Sequence, residues 1–253
     1  MKMIMQLLLV SLAMGSLGNG TAQSVNPLAM SASPKSGAET ASNAVYGKGI
    51  YVKVDGRGRI ITSSDGIAWN ISNLEIKTFL RNATYANGLF VVVGGSYVDE
   101  PGVLLTSRDG VTWFRRKIPV RANLYGVAYG NGLFVAVGDN DTILTSTNGV
   151  VWKMRKTNTR DVLLSAVAYG GGSFLAVGDS GTILASTNGI DWYRRSSGVS
   201  MYLGEVHYDD DGFVTQGAEG TTLSSKDGIA WNNWIVPPKN SNRWGKLRLI
   251  TTE

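Results

Sequence analysis

The chain has 253 residues, of which 43% are hydrophobic and 17% charged, and its formal net charge is +5. It has no cysteine and one histidine, His207, which excludes disulfides, zinc fingers, thiolate chemistry and any multi-histidine metal site. We therefore expect neither a metal nor a cofactor, and the mild positive charge permits an anionic partner without requiring one.

Residues 1–22 have the pattern of a secretory signal peptide. Lys2 precedes an apolar run over residues 4–17, and Gly20-Thr21-Ala22 is a suitable cleavage site. An amphipathic helix is disfavoured because the run has no polar face. Residues 23–42 are rich in Ser, Ala and Pro and predict a flexible leader. The sequence thus predicts export to the periplasm or the extracellular space, with no transmembrane segment in the mature chain.

Residues 43–238 contain one motif five times. In each copy a Tyr is followed five residues later by a second aromatic residue, and then by a Ser-x-Asp/Asn-Gly-x-x-Trp segment, which we call the Asp/Asn-Gly turn. The closing tryptophans are almost evenly spaced, and one insertion at residues 95–101 accounts for the single longer interval. A period near 40 with several short strands per unit is typical of a radial repeat fold.

The third repeat shows the expected strands most clearly. Residues 124–129, 133–138, 142–146 and 151–155 are rich in β-branched and aromatic residues and are separated by Gly, Asn and Asp turns. We name them strands A to D. Strand B is apolar at nearly every position, which indicates a strand covered on both faces. The sequence therefore predicts an all-β protein, a β-propeller of five four-stranded antiparallel blades.

Residues 239–253 predict one more strand, around Lys246–Thr251. Two interpretations remain open. The strand pairs with the first blade and closes the ring, or it is the first strand of a sixth blade that is absent from this chain. Closure would remove an exposed sheet edge.

The Asp/Asn-Gly turns have a clear local role. The Asp or Asn side chain accepts hydrogen bonds from turn N–H groups, Gly takes the positive φ, and the Trp buries its ring. The turns resemble the Asp-box of the bacterial neuraminidase repeat, and two repeats are similar to those of photosystem II assembly-factor-like propellers. The resemblance implies a structural role for the paired positions Asp65 and Trp69, Asp109 and Trp113, Asn148 and Trp152, Asn188 and Trp192, and Asp227 and Trp231.

Basic residues recur in the D–A linkers, which share one end of an up-down blade with the B–C turns. We expect a protein or an extracellular anionic polymer or glycan to bind there, with Tyr97 of the insertion as an aromatic contact. Alternatively, the cations only solvate the outer strands, with acids such as Asp55, Asp139, Asp179 and Glu219 as neutralising partners. The candidate residues are Arg115, Arg116, Lys117, Arg155, Lys156, Arg194, Arg195 and Tyr97.

No catalytic residue stands out, so we favour a non-catalytic binding or scaffold module. A sialidase-like glycosidase is one alternative, although the Arg-Ile-Pro signature is not found upstream of the first turn. An assembly-factor-like chaperone is another. Asp209-Asp210-Asp211 reads as an acidic hairpin rather than a calcium loop. Few aromatic residues alternate with the cations, so nucleic acid is not an expected partner.

Overall fold

The structure is a computed structural model that describes residues 44–72, 78–96 and 102–235. The predicted signal peptide, leader and C-terminal strand, as well as Tyr97, lie outside these residues. Within them, twenty strands form five four-stranded antiparallel sheets, and each sheet is a simple meander. The predicted all-β class and blade architecture are confirmed.

The strand bounds follow the repeat. Sheet 1 contains β1 Val45–Gly47, β2 Ile50–Val54, β3 Ile60–Ser63 and β4 Asn70–Ile71. Sheet 2 contains β5 Phe79–Ala86, β6 Leu89–Gly95, β7 Val103–Ser107 and β8 Phe114–Arg115. Sheet 3 contains β9 Leu124–Gly130, β10 Leu133–Gly138, β11 Ile143–Ser146 and β12 Lys153–Met154.

The last two sheets repeat the pattern. Sheet 4 contains β13 Leu164–Gly170, β14 Ser173–Gly178, β15 Ile183–Ser186 and β16 Tyr193–Arg195, and sheet 5 contains β17 Leu203–Asp209, β18 Gly212–Gly217, β19 Thr221–Ser225 and β20 Asn232–Ile235. Short 3-10 turns at Asp179–Gly181 and Ala218–Gly220 precede the third strands of these sheets. Strand D of the third repeat is shorter than predicted, because the segment up to Trp152 belongs to the Asp/Asn-Gly turn.

Consecutive sheets pack face to face around a common centre. The first strands of neighbouring sheets lie against each other and form the inner layer, and the fourth strands form the outer edge. We call the face toward the next sheet the front and the face toward the preceding sheet the back. Among the described residues, the extensive contacts between sheets join only consecutive sheets, so the back of sheet 1 and the front of sheet 5 lack a neighbouring sheet.

The second strand of each inner sheet is buried on both faces, as its composition predicted. In sheet 3, Phe134 and Ala136 pack with sheet 2, while Val135 and Val137 pack with sheet 4. Each of these four side chains is at most 1% exposed. Burial of one Val or Phe side chain stabilises the fold by roughly 1.5–3 kcal/mol. Because each second strand packs on both sides, the hydrophobic core runs continuously from sheet to sheet.

The recurring Tyr, second aromatic and Trp rings form a row of three in sheets 1 to 4, and the first two rings are also in contact in sheet 5. In sheet 3, the ring centroids of Tyr129 and Phe134 are 4.6 Å apart, and those of Phe134 and Trp152 are 6.4 Å apart. Indole Nε1 of Trp152 donates to the carbonyl oxygen of Gly149 at 3.0 Å. The rings therefore connect the first hairpin of a sheet to its Asp/Asn-Gly turn.

The Asp/Asn-Gly turns have the expected hydrogen bonds. Oδ1 of Asp109 accepts from the backbone N–H groups of Val111 at 2.9 Å and Thr112 at 2.7 Å. These two donors hold the pKa of Asp109 well below its ordinary value of 3.8. Oδ1 of Asn148 accepts from Val150 and Val151 in the same way, at 2.9 and 3.0 Å. Asp and Asn are thus interchangeable acceptors.

The meander places different connections at the two ends of each sheet. One end carries the A–B hairpins and the Asp/Asn-Gly turns, and we call it the turn end. The other carries the B–C turns and the D–A linkers, and we call it the linker end. The acidic segment 209–211 forms an A–B hairpin at the turn end, as expected.

Candidate functional site at the linker end

The predicted basic residues lie on the outer strands and at the start of the D–A linkers, and they fall into two classes. One position recurs three residues after the Trp of sheets 2, 3 and 4, and it is occupied by Arg116, Arg155 and Arg195. These three are half-buried. The other candidates are exposed, namely Arg115, Lys117, Lys156 and Arg194.

The half-buried arginines are anchored on the neighbouring strand of their own sheet. Nε of Arg116 donates to Oγ1 of Thr106 at 2.8 Å, and Nε of Arg155 donates to Oγ1 of Thr145 at the same distance. Ala185 stands at the equivalent place in sheet 4, and the buried Nε of Arg195 has no hydrogen-bond partner. The recurrence of these arginines therefore has a structural cause, and the exposed cations are better candidates for binding.

The inner strands contribute a feature that sequence reasoning missed. Each of β5, β9, β13 and β17 has a β-bulge near its start, where the register with the second strand shifts by one residue. The extra residues are Arg81, Tyr125, Ser165 and Gly204, each four residues before the repeat Tyr. Bulges redirect side chains and are frequent beside functional sites.

Arg81 and Tyr125 meet between sheets 2 and 3. The guanidinium carbon of Arg81 lies 5.7 Å from the ring centroid of Tyr125 and 5.5 Å from that of Phe79. With Ser96 and Asn123 these residues line a cavity of about 40 Å³, and the Ser96 N–H donates to Oδ1 of Asn123 at 2.9 Å. We call this group the mouth cluster. Its cavity has room for a water molecule but not for an organic substrate.

The phenol of Tyr125 is held in its protonated form. Burial raises its pKa to about 12, with a further contribution from a hydrogen bond to the Asp139 carboxylate. At neutral pH Tyr125 is therefore a hydrogen-bond donor. The Asp139 backbone N–H donates to the carbonyl oxygen of Asn123 at 3.0 Å, which fixes the B–C turn against the start of β9.

Two further acids of the linker end also have local partners. Asp55 forms an ion pair with Arg59 at 2.6 Å, and Asp141 accepts a hydrogen bond from the Thr159 hydroxyl. Each is half-buried. The first contact fixes Asp55 within its own turn, and the second joins Asp141 of a B–C turn to the linker that follows sheet 3. The exposed Arg115, Lys156 and Arg194 lie on the outer edge.

A second cavity lies between sheets 4 and 5. It has a volume of about 150 Å³ and is lined in part by Tyr193, Arg195, Asp227 and Ile229. Small-molecule sites usually have volumes of about 300–1,000 Å³. In the part of the chain that the structure describes, no group of three or more acidic or His side chains could hold a metal ion. No described helix is long and apolar enough to cross a membrane.

Comparison with known proteins gives the fold. No family model and no curated protein matches the chain. Among solved structures, "YCF48 bound to D1 peptide" matches with a TM-score of 0.55 and 17% identity over 82% of this chain and 67% of that chain. YCF48 from Cyanidioschyzon merolae matches with a TM-score of 0.54 and 15% identity over 76% and 68% of the two chains.

A streptogramin B lyase matches with a TM-score of 0.67 and 10% identity, over 82% of this chain and 72% of the lyase. These neighbours are β-propellers, and at such low identity they establish the fold of this chain and nothing about its ligand. One fold thus carries a peptide-bound protein and an enzyme, so function must be argued from the site.

Proposed function

We propose that the protein is a non-catalytic binding scaffold that docks an acidic, extended protein segment across its linker end. The observation that carries this proposal is the arrangement of exposed cations. Arg115, Lys156 and Arg194 belong to the outer edges of three consecutive sheets, with the mouth cluster nearer the centre. Residues 79–195, which span these sheets, have twelve basic and eight acidic residues, a net charge of +4.

The size of the cavities supports a macromolecular partner. A surface with cavities of about 40 and 150 Å³ offers little enclosure to a small molecule. An extended peptide instead lies across several sheets and gains affinity from many weak contacts. The neighbouring structure of YCF48 bound to D1 peptide supports a peptide ligand, because that protein has the same fold.

Tyr125 argues against a sialidase-like reaction at the mouth cluster. Sialidases use a tyrosine nucleophile, which must lose its proton to react. Burial and the Asp139 carboxylate raise the pKa of Tyr125 to about 12, and the cavity of about 40 Å³ beside this phenol has no room for a sugar ring. The assembly-factor-like alternative is a special case of the binding scaffold, since such a factor also acts by holding a partner chain.

The proposal includes export, which rests on the pattern of residues 1–22 alone. N-terminal sequencing of the protein from its native host would test it. A mature chain that begins at Gln23 is the expected result, and an intact N-terminus on the functional protein would contradict export.

Charge reversal tests the docking surface. The variant Arg115→Glu/Lys156→Glu/Arg194→Glu should bind a fluorescein-labelled poly-glutamate peptide at least about tenfold more weakly in anisotropy titrations at low salt. The control Lys48→Glu/Arg108→Glu/Lys226→Glu reverses three exposed cations at the turn end and changes the net charge equally. The control should keep its affinity.

Equal losses in both variants would show that only net charge matters, and unchanged affinity in the first would contradict the proposed surface. A heparin titration in parallel separates the polymer alternative. If heparin bound more tightly per charge than the peptide, the ligand would be a polyanionic glycan and not an acidic protein segment.

A further inference from the structure

The front of sheet 5 is polar where the front of sheet 4 is apolar. In sheet 4, the paired rows Ala166–Val177–Ile183 and Ala168–Leu175–Ala185 form the front. Val177, Leu175 and Ile183 pack there on Leu203, Val206 and Phe213 of sheet 5. In sheet 5, the same rows read Glu205–Gln216–Thr222 and His207–Val214–Ser224.

Five of these six positions have changed from apolar to polar residues. Glu205 and Gln216 are exposed, and His207, Thr222 and Ser224 are partly buried. The rest of sheet 5 keeps the repeat closely, including Leu203, Val206, Phe213 and Leu223 on its back. The change is therefore confined to the face that lacks a neighbouring sheet. If another apolar sheet of this repeat packed on that face, it would bury the carboxylate of Glu205 without a partner, which is unfavourable.

Sheet 5 is also the acidic part of a basic protein. Residues 203–235 contain six acidic residues and one lysine, a net charge of −5. The segment that follows, 236–253, contains four basic residues and one acidic residue, a net charge of +3. Opposite charge of this size in adjacent segments favours their contact.

The repeat spacing indicates how residues 236–253 could reach this face. From the closing Trp to this inner-strand position the interval is 15 residues at Val167 of sheet 4 and 14 residues in the other three repeats, so the position after Trp231 is Lys246 or Gly245. A Cβ atom on Gly126, the counterpart of Glu205 in sheet 3, would lie 3.0 Å from the backbone nitrogen of Val167. The longer interval would set Lys246 beside Glu205 and the shorter one the uncharged Gly245, so opposite charge favours the longer interval.

We propose that residues 243–251 dock as a single strand on the front of sheet 5, with Lys246 and Arg248 against Glu205 and its polar neighbours. Side chains alternate in a strand, so Leu247 and Leu249 face the other way. That side of the gap is the back of sheet 1, where Tyr46 is 55% exposed. The segment thereby gives each uncovered sheet face a cover of matching chemistry, and this inference does not depend on the proposed function.

The absence of cysteine makes a direct test available. The full-length variant Glu205→Cys/Lys246→Cys should form an intramolecular disulfide under mild oxidation, because the two Cα atoms would lie within about 4.4–6.8 Å. Peptide mapping by mass spectrometry identifies the bond. The control Asp191→Cys/Lys246→Cys places the first thiol on an exposed turn at the opposite end of sheet 4 and should remain reduced.

Charge exchange provides a second measurement in case oxidation is slow. Glu205→Lys should increase hydrogen exchange in β17 and β18 at least about threefold, and Lys246→Glu/Arg248→Glu in the same chain should restore the original protection. A disulfide between two chains would instead show that a second copy of the protein occupies this face. Equal cross-linking in the control, or no rescue by charge exchange, would overturn the proposal.

Discussion

The guanidinium of Arg155 donates from Nε to Oγ1 of Thr145 at 2.8 Å, and this contact joins the outer strand of sheet 3 to its neighbour. Arg116 makes the same bond to Thr106 in sheet 2. In sheet 4 the hydroxyl is missing because the position is Ala185, and the buried Nε of Arg195 has no partner. Sheets 2 and 3 therefore have a hydrogen bond between their third and fourth strands that sheet 4 lacks.

Ala185→Thr should stabilise the protein. The new hydroxyl would accept from Nε of Arg195, and satisfying a buried donor to a charged group contributes about 1–3 kcal/mol. Urea denaturation should show a higher midpoint with an unchanged m-value. The reverse change, Thr145→Ala, serves as the matched control and should lower the midpoint. A destabilised Ala185→Thr would show that sheet 4 has no room for the extra atoms.

Gly178→Ala should destabilise the fold more than Gly170→Ala. A Cβ atom on Gly178 would lie 1.9 Å from the carbonyl oxygen of Leu163, which is backbone and cannot move aside. On Gly170 the collision is with the Tyr208 ring, and Ala86 occupies the equivalent place in sheet 2. We expect a loss of roughly 1–3 kcal/mol for Gly178→Ala and a smaller one for the control. Thermal unfolding of both variants measures the difference, and equal losses would contradict it.

The aspartates of the Asp/Asn-Gly turns should make stability depend on acid pH. Turn N–H groups lower the pKa of Asp65, Asp109 and Asp227 below the ordinary 3.8. The folded state thus favours the carboxylate, and its contribution is complete above about pH 4 and is lost as the pH falls further. Replacing all three by Asn, the residue found at Asn148, should make the melting temperature depend less on pH between pH 2 and 4. If the melting temperature of this variant changed with pH as steeply as that of the parent, other carboxyl groups would be the cause of the pH dependence.

Tyr125 should titrate above the ordinary tyrosine pKa of 10.0. Its pKa of about 12 means that the folded state binds the phenolic proton more tightly than the unfolded chain does. This contribution to stability is complete below about pH 10 and is lost as the pH rises toward 12. The difference between tyrosinate absorbance titrations of the parent and Tyr125→Phe isolates this group. Asp139→Asn should move the midpoint downward, and no movement would assign the shift to burial alone.

The repeat made most of the fold predictable. Five aligned copies of the Tyr, Phe and Trp positions reported strands and turns together, because each copy repeats the same local chemistry. The two-face burial of β10 followed from Leu133–Gly138 having almost no polar side chain. The predicted hydrogen bonds of Asp109 and Asn148 are present because they are local to one turn.

The candidate site was less predictable. Sequence reasoning grouped Arg115 and Arg116 together. In the structure Arg115 is exposed and Arg116 donates to Thr106. The two differ because successive side chains of an extended segment point to opposite faces. The bulges at Arg81 and Tyr125 arise from the pairing of two strands and have no composition signal. Their trace in the sequence is a position that changes from Arg to Tyr, Ser and Gly after a Leu that recurs in all four repeats.

The separation of the two ends has an evolutionary consequence. Side chains such as Asp109 and Trp152, which lock each unit, sit at the turn end, whereas Arg81 and Tyr125 sit at the linker end. Mutations at the proposed docking surface would therefore alter recognition without endangering how the polypeptide folds. A lineage with such a surface would diversify its targets one repeat at a time.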